Sequence, residues 1–461
     1  MTATTFSVAG QRVVVVGAAR SGVAAAKLLV RRGAAVTLSD ARPQIDAADE
    51  LREAGVDLEL GGHQAATLRG ADLIVLSPGV PPTQPALAEA RAAGVPMMGE
   101  LELASRWLRG RIVAITGTKG KSTTTTLTGR MLEAGGHRVL VGGNIGHALS
   151  AQVDQSTDDT IHVIEASSFQ LESADTFHPW IAVLLNFSPD HLDRHADIAE
   201  YAAAKARIFA NQTTADWAVL NADDEASQAL AQDARAHRLF FAVEQSPADG
   251  VVVANDAIVR RRRDGADQVL VPLSAVKLLG RHLLADVAAA AAVASLAGVE
   301  PDAMTRAVEQ FTGLEHALEP VADVGGVRFV NDSKATNIEA ALRAIQSFGP
   351  GLVVILGGRF KGGDFTDLRA ALAERHAAVL AIGEATPLVQ QALAAAVPVH
   401  AVDDLYDAVR TAFALASPGD TVLLAPGCSS FDMFRDYAER GRVFKSEVAR
   451  LQSDWRNTSQ Q

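Results

Sequence analysis

The sequence predicts an α/β protein of three domains, and three observations predict it. Short apolar strands alternate along the whole chain with helices of about a dozen residues. Most of these strands end in glycine or polar residues, and 461 residues exceed what one core holds. The composition agrees: 48% hydrophobic and 21% charged residues are those of a soluble globular chain, while 5% aromatics with abundant alanine favour packed helices over β-sandwiches. The N-terminus lacks a signal peptide, and no apolar run reaches the ~18 residues of a membrane span, so a cytoplasmic protein without membrane insertion is expected. Cys428 is the only cysteine, which excludes a disulfide framework and a thiolate zinc site within one chain. A net charge of −12 argues against nucleic acid as a partner. The one basic run, Arg260 to Arg263, lies between VVVANDAIV and ADQVLVPL and reads as a solvated hairpin tip.

The first domain, residues 1–110, opens with RVVVVGAARSGVAAAKLLVRRG, reaches the strand VTLSD, and repeats the pattern at ADLIVLSPGV. This is a Rossmann-like beginning. Gly17 and Gly22 bracket the first turn, but Ala19 replaces the middle glycine of a dinucleotide fingerprint, which impairs the approach of a pyrophosphate and makes NAD doubtful. Arg20, Ser21, Asp40, Arg42, Ser77, Pro78 and Gly79 all fall at the carboxyl edge of the predicted sheet, where they could hold a nucleotide's phosphate and ribose or serve only as turn residues. The central domain, 111–313, runs through IHVIEASS and WIAVLLNFS. The third, 314–461, carries VADVGGVRFVNDSKATN, LVVILGG, AVLAIG and TVLLAPG to about Val448, after which RLQSDWRNTSQQ reads as a frayed polar tail.

The central domain holds the most informative segment. In IVAITGTKGKSTTTT an apolar strand breaks into a glycine-bearing loop, and Lys121, Ser122, Thr123 and further threonines open a helix. Backbone N–H groups from Gly117 through Thr118, Lys119 and Gly120 to Lys121 can point at a polyphosphate. Lys121 supplies a charge, and Ser122 a hydroxyl for Mg²⁺. Ile115 stands where the general phosphate loop has its first glycine, so this is a shortened form, Gly-Thr-x-Gly-Lys-Ser-Thr.

Other polar clusters follow strands. Glu165 closes IHVIE, where a carboxylate beside a phosphate loop can complete a Mg²⁺ shell. NFSPDHLDRH gathers Asn186, Asp190, His191 and Asp193, either for chemistry or as a turn whose aspartate caps the next helix. Lys205 sits among alanines in YAAAKARIF. It either snorkels to water or, desolvated, reacts with CO₂ to give a carbamate that offers oxygens to a metal. In NDSKATN, Lys334 beside Asp332 suits phosphate and carboxylate charge, with Thr336 or Asn337 as helix cap. GGRFKGG around Lys361 and PGCSSFD around Ser430 are two further loops. Cys428 reads as inert in a packed turn.

Together GTKGKSTTT, GGNIG, EASSFQLE, NFSPDHLDRH, YAAAKARIF, NDSKATN and PGCSSFDMFRDYAERG resemble the Mur ligase family, and the likeness spans essentially the whole chain. The resemblance implies a central ATPase domain between Rossmann-like first and last domains. It further implies an ATP-dependent amide ligase adding glutamate to UDP-N-acetylmuramoyl-L-alanine by way of an acyl phosphate. It places the UDP-substrate on the first domain's residues with Asn144 and His191, and ATP on 117–123 with Asp332. Metal ligands would be Ser122, Glu165, His191 and carbamylated Lys205. The incoming glutamate would meet Lys334, Thr336, Lys361, Ser430 and Tyr437, and catalysis would rest on Lys121, Lys205, His191 and Lys334. Cofactors would be ATP, Mg²⁺ and the carbamate, and the protein would act as a monomer.

Three residues depart from the family pattern. Leu283 and Asp286 stand where two asparagines are usual, and Ala317 where arginine is usual, all at positions that touch ATP. The residues leave open a ligase for another amino acid, L-glutamate included, and a regulatory protein that binds nucleotide without turnover. Lys205 and Lys334 favour the enzyme, since a pure binder needs neither. Neither the Asp-Asn-Pro-Arg motif of the diaminopimelate-adding member nor the domain plan of a folate polyglutamate ligase is present. If nucleotide contacts are redistributed around Ala317, Ala317→Arg lowers the apparent KM for ATP, and steady-state kinetics giving an unchanged or higher value would refute this.

Overall fold

The run Arg12–Val16 (β1) is apolar on both faces because helices cover both sides of its sheet. The computed structural model describes residues 6–190, 194–277 and 282–459. It divides into two compact units, the first closing at Phe311 and the second beginning at Thr312.

In the first unit, β1 joins Ala35–Asp40 (β2), Asp57–Leu60 (β3), Leu73–Leu76 (β4) and Met97–Gly99 (β5) in a parallel sheet of order β3-β2-β1-β4-β5. The order reverses between β1 and β4, which opens a crevice at their carboxyl ends. A second sheet follows from Arg111–Thr116 (β6), Arg138–Gly143 (β7), Thr160–Glu165 (β8), Ile181–Leu184 (β9), Trp217–Asn221 (β10) and His237–Ala242 (β11). It continues through Gly250–Ala254 (β12), Ala257–Arg261 (β13) and Gln268–Pro272 (β14), in the order β14-β13-β12-β11-β10-β9-β6-β8-β7. Strands β6 to β12 run parallel; β13 and β14 complete an antiparallel edge.

The basic run lies at the β13–β14 hairpin, spanning the end of β13 and the start of its connection. VVVANDAIV is itself a hairpin, β12 to β13, turning at Asn255 and Asp256 with positive φ. Arg260 and Arg261 end β13 and pair with Asp249 and Asp267, so only Arg262 and Arg263 fall in the turn to β14.

The second unit pairs Glu319–Val324 (β15) antiparallel with Val327–Asn331 (β16). Leu352–Gly357 (β17), Ala378–Ile382 (β18), Val399–Ala401 (β19) and Thr421–Leu424 (β20) complete the order β15-β16-β20-β17-β18-β19. The expected frayed tail is a correction: a single helix, Tyr437–Ser459, runs through it. Phe444, Val448 and Leu451 recur on one face and are buried, and Trp455, one turn further on that face, meets Phe413 edge-on at 5.3 Å. Among the described residues no helix is long and apolar enough to cross a membrane.

Gly22 shows why the first turn needs its last glycine. The helix Arg20–Arg31 lies so close to β1 that a Cβ at Gly22 would sit 1.8 Å from the Gly17 carbonyl oxygen. Gly22→Ala is therefore expected to cost about 2 kcal/mol or more, because the obstacle is backbone. Urea unfolding that moves by less than about 0.5 kcal/mol, the scatter of a neutral surface change, would contradict this contact.

Candidate functional site

The turn from β6 into the helix Lys121–Ala134 carries no bulk of its own and is held from outside. The Asn186 side chain at the end of β9 accepts from the Thr118 and Lys119 N–H groups at 3.1 and 2.9 Å and donates to the Lys119 carbonyl at 3.1 Å. Two of the N–H groups between Gly117 and Lys121 are thus engaged by Asn186. Thr118 Oγ1 is tied to the Ser188 backbone and lies 3.2 Å from the Tyr201 hydroxyl. Lys121 Nζ folds back onto the Gly117 and Thr118 carbonyls, each at 2.9 Å. Gly120 leads into the helix with φ +81°, a left-handed conformation suited to glycine.

Lys205 does not snorkel. It is buried in the helix Ile198–Ala206 and donates to the Gly117 carbonyl at 2.7 Å. Burial, reinforced by the Lys121 charge, lowers its pKa to about 7. Glu165, paired in register with Ile115 of β6, is buried too; Oε1 accepts from Asn144 Nδ2 at 2.7 Å and Oε2 has no hydrogen-bond partner. Asp197, outside the NFSPDHLDRH cluster, caps the next helix. His191 and Asp193 lie outside the described residues. Among the described residues no cluster of three metal-ligating side chains is assembled.

Asp286 is the residue that sequence reasoning placed but did not explain. It projects from the helix His282–Leu296 against the loop, where a Cβ at Gly120 would lie 2.2 Å from its Oδ1. Burial raises its pKa to about 8, so near neutrality it is a carboxylic acid, of the same shape as an asparagine. Leu283 is half-buried near the start of this helix.

The crevice of the first sheet is a cavity of about 370 Å³. Its wall includes Arg20, Ser21, Asp40, Arg42, Ser77, Pro78, Gly79 and Asn144, all eight of the described residues expected there. Asp40 receives a two-pronged bond from Arg42 at 2.9 and 3.0 Å and the Ala18 N–H at 2.6 Å, and these hold its pKa at about 2. Ser77 Oγ donates to the Gly17 carbonyl at 2.9 Å, and Arg20 to that of Gly146 at 3.0 Å. Asn144 thus touches both this cavity and Glu165.

In the second unit, adjacent strands β16, β20 and β17 end in the loops that carry NDSKATN, PGCSSFD and GGRFKGG. Arg359 and Ser429 exchange backbone bonds at 2.9 and 3.0 Å, and Gly427 N–H donates to Ala335 at 2.9 Å. Lys334, Lys361 and Tyr437 are exposed, Thr336 half-buried and Ser430 buried at this edge, with Lys361 Nζ 5.8 Å from the centre of the Phe431 ring. Asp332 is buried and accepts from the Leu318 N–H at 3.1 Å; desolvation raises its pKa to about 7. Asn337 caps the following helix. Arg440 was missed. Its guanidinium donates to Ser333 Oγ, the Ser333 carbonyl and the Cys428 carbonyl at 2.9 to 3.1 Å, joining two of the loops, and only its place in a helical stripe could have hinted at burial. Cys428 is buried, its pKa pushed up to about 12, as suits an inert thiol.

Family models match in chain order: Mur ligase MurD-like, N-terminal domain over 11–99, Mur ligase middle domain over 115–294, and Mur ligase, glutamate ligase domain over 318–428. The chain belongs to the Mur ligase family. Similar Mur ligases include the UDP-N-acetylmuramoylalanine--D-glutamate ligase of Acidobacterium capsulatum, 48% identical over 98% of this chain and 99% of that one. The protein of that name from Koribacter versatilis is 44% identical over 97% and 99%. Among solved structures, the UDP-N-acetylmuramate-alanine ligase MurC of Thermotoga maritima shares the Mur ligase fold at TM-score 0.60 and 18% identity, covering 96% of this chain and all of that one. The MurF ligase of the same organism, in complex with ADP, aligns at TM-score 0.56 and 17% identity, with 96% of each chain covered.

The Asp286 environment has a pH signature. Between its ordinary value of 3.8 and about 8 the unfolded chain loses this proton and the folded protein keeps it, so stability falls as pH rises through that window. Asp286→Asn keeps the shape and removes the cost. Its stabilisation is expected to be greater at pH 8 than at pH 5 by ~2 kcal/mol or more, and equal gains at both pH values in denaturant titrations would exclude a neutral Asp286.

Proposed function

We propose that the protein is an ATP-dependent ligase that joins D-glutamate to UDP-N-acetylmuramoyl-L-alanine, a monomeric cytoplasmic enzyme of peptidoglycan precursor synthesis. The observation that carries this reading is the set of relatives of that name, 40 to 48% identical along nearly the whole chain. Residues 1–110 would hold the UDP-substrate, 111–313 ATP, and 314–461 the amino acid.

The geometry supports each role. A carboxylate is a poor electrophile, so the substrate's alanine carboxylate first attacks the γ-phosphorus of ATP, forming an acyl phosphate and releasing ADP. Lys121 would leave the loop carbonyls for the phosphoryl oxygens, an electrostatic gain in the transition state. The glutamate amine then attacks the acyl carbon, the tetrahedral adduct collapses, and phosphate departs with the amide formed. Lys334 at the NDSKATN loop would balance phosphoryl charge, and Thr336, Lys361, Ser430 and Tyr437 would receive the glutamate.

The site's own residues fit a divalent metal: Glu165 Oε2 is a buried oxygen without a partner. Ser122, Glu165, His191 and Lys205 as carbamate would hold Mg²⁺, whose charge offsets that of the phosphoryl oxygens. Carbamate formation begins with a neutral amine, which attacks CO₂ and sheds a proton. Lys205, with its pKa near 7, has that form in quantity at pH 8.

Phosphate release with ATP, Mg²⁺ and UDP-N-acetylmuramoyl-L-alanine is expected only when D-glutamate is added. Release with L-glutamate alone would reassign the amino acid, and none under any condition would favour a nucleotide-binding regulator. Lys205→Arg, which cannot form the carbamate, is expected to lower kcat by about a hundredfold or more. It should also abolish a ¹³C carbamate signal raised by labelled bicarbonate; a signal that survives would place the carbamate elsewhere.

A further inference from the structure

A second cavity, of about 470 Å³, adjoins the nucleotide cavity, and Ser77, Pro78, Val80 and Gln170 line both. It lies between the carboxyl ends of β4 and β5 and the segment Phe169–Asp175. Neither Asp40 nor Arg42 reaches it. That size suits a drug-sized molecule.

Its lining combines an apolar wall, one buried carboxyl and exposed arginines. Leu76, Met97, Met98 and Phe169 give a polarisable surface that adapts to flat ligands. The charged residues fall into two groups. Arg106 is held by Glu102 at 2.8 Å and by the lining carboxylate of Asp175 at 3.8 Å, and Glu172 by Arg194 at 2.6 Å. Arg91 and Arg207 are exposed and make no ion pair among the described residues: Arg207 donates to the Ala174 carbonyl, and the Arg91 side chain has no polar partner there. The rim therefore carries uncompensated positive charge. Glu100 also lines the cavity, with its side chain buried. Its Oε1 accepts from the Ser150 N–H at 2.6 Å, whereas Oε2 has no partner. Burial pushes its pKa up, towards the form in which Oε2 carries the proton. A buried polar atom left unpaired is costly unless a ligand or water meets it.

We propose that this cavity is a second small-molecule site, for a monoanion with a flat apolar body and an inward hydrogen-bond acceptor, such as an aromatic carboxylate or sulfonate. The body covers the methionine and phenylalanine surface, the acid group meets Arg91 and Arg207, and the acceptor meets Glu100. The inference does not depend on which nucleotide the first cavity takes.

The test uses the full chain and 8-anilinonaphthalene-1-sulfonate, a flat apolar sulfonate whose fluorescence rises on burial. Saturable one-to-one binding is expected. Arg91→Gln removes a rim charge at an exposed position, and Met98→Asp puts a charge on the apolar surface. Each is expected to weaken the probe at least threefold while the melting temperature of Arg91→Gln stays that of the parent. No saturable binding, or a smaller change in either variant, overturns the proposal.

Discussion

The Asn186 carboxamide bonded to the glycine loop at 117–120 is the contact on which the centre of the first unit depends. A loop without side-chain bulk cannot fix its own backbone, and buried N–H and C=O groups must find partners. Asn186 supplies three of those bonds at once, and Lys205 a fourth at the Gly117 carbonyl. Everything adjacent follows from that fixed backbone. Lys121 can fold onto the loop carbonyls, Asp286 can press against Gly120, and Glu165 can stand one strand away with an oxygen left open.

Burial around this loop sorts the charges. Lys205 and Asp286 are of opposite type, yet desolvation drives both towards neutrality at ordinary pH, one down to about 7 and the other up to about 8. Asp332 in the second unit is pushed the same way by the same cause. Asp40 shows the contrary outcome: three bonds from Arg42, one of them from its backbone N–H, and one from the Ala18 N–H outweigh its partial burial. The protein thus keeps firmly charged only those buried groups to which it gives hydrogen bonds.

Much of this was legible beforehand. The strands were visible as apolar runs, and because parallel strands deliver their carboxyl ends to one edge, the residues at or just past those ends gather there, as the seven from β1, β2 and β4 that line the first cavity do. The parts that escaped depend on contacts between distant segments. Nothing local marks Asn186 as the holder of Thr118, 68 positions away, or Arg440 as the partner of Ser333, 107 positions away. The C-terminal tail was misread because its polar majority hid the spacing of Phe444, Val448, Leu451 and Trp455, a helical stripe that Phe413 helps to cover. VVVANDAIV was read as one segment, whereas Asn255 and Asp256 turn it into a hairpin of its own ahead of the basic run.

Arg440 has a consequence for the order in which the protein is made. The loops after β16 and β20 are joined by a residue that follows every strand of their sheet in the chain. The second unit can therefore pair its strands during synthesis but cannot set these loops until the Tyr437–Ser459 helix has emerged and docked. The first unit, complete at Phe311, is under no such delay. The nascent chain thus acquires the glycine loop at 117–120 well before the edge that NDSKATN and PGCSSFD form together, which makes that edge the last feature of the molecule to mature.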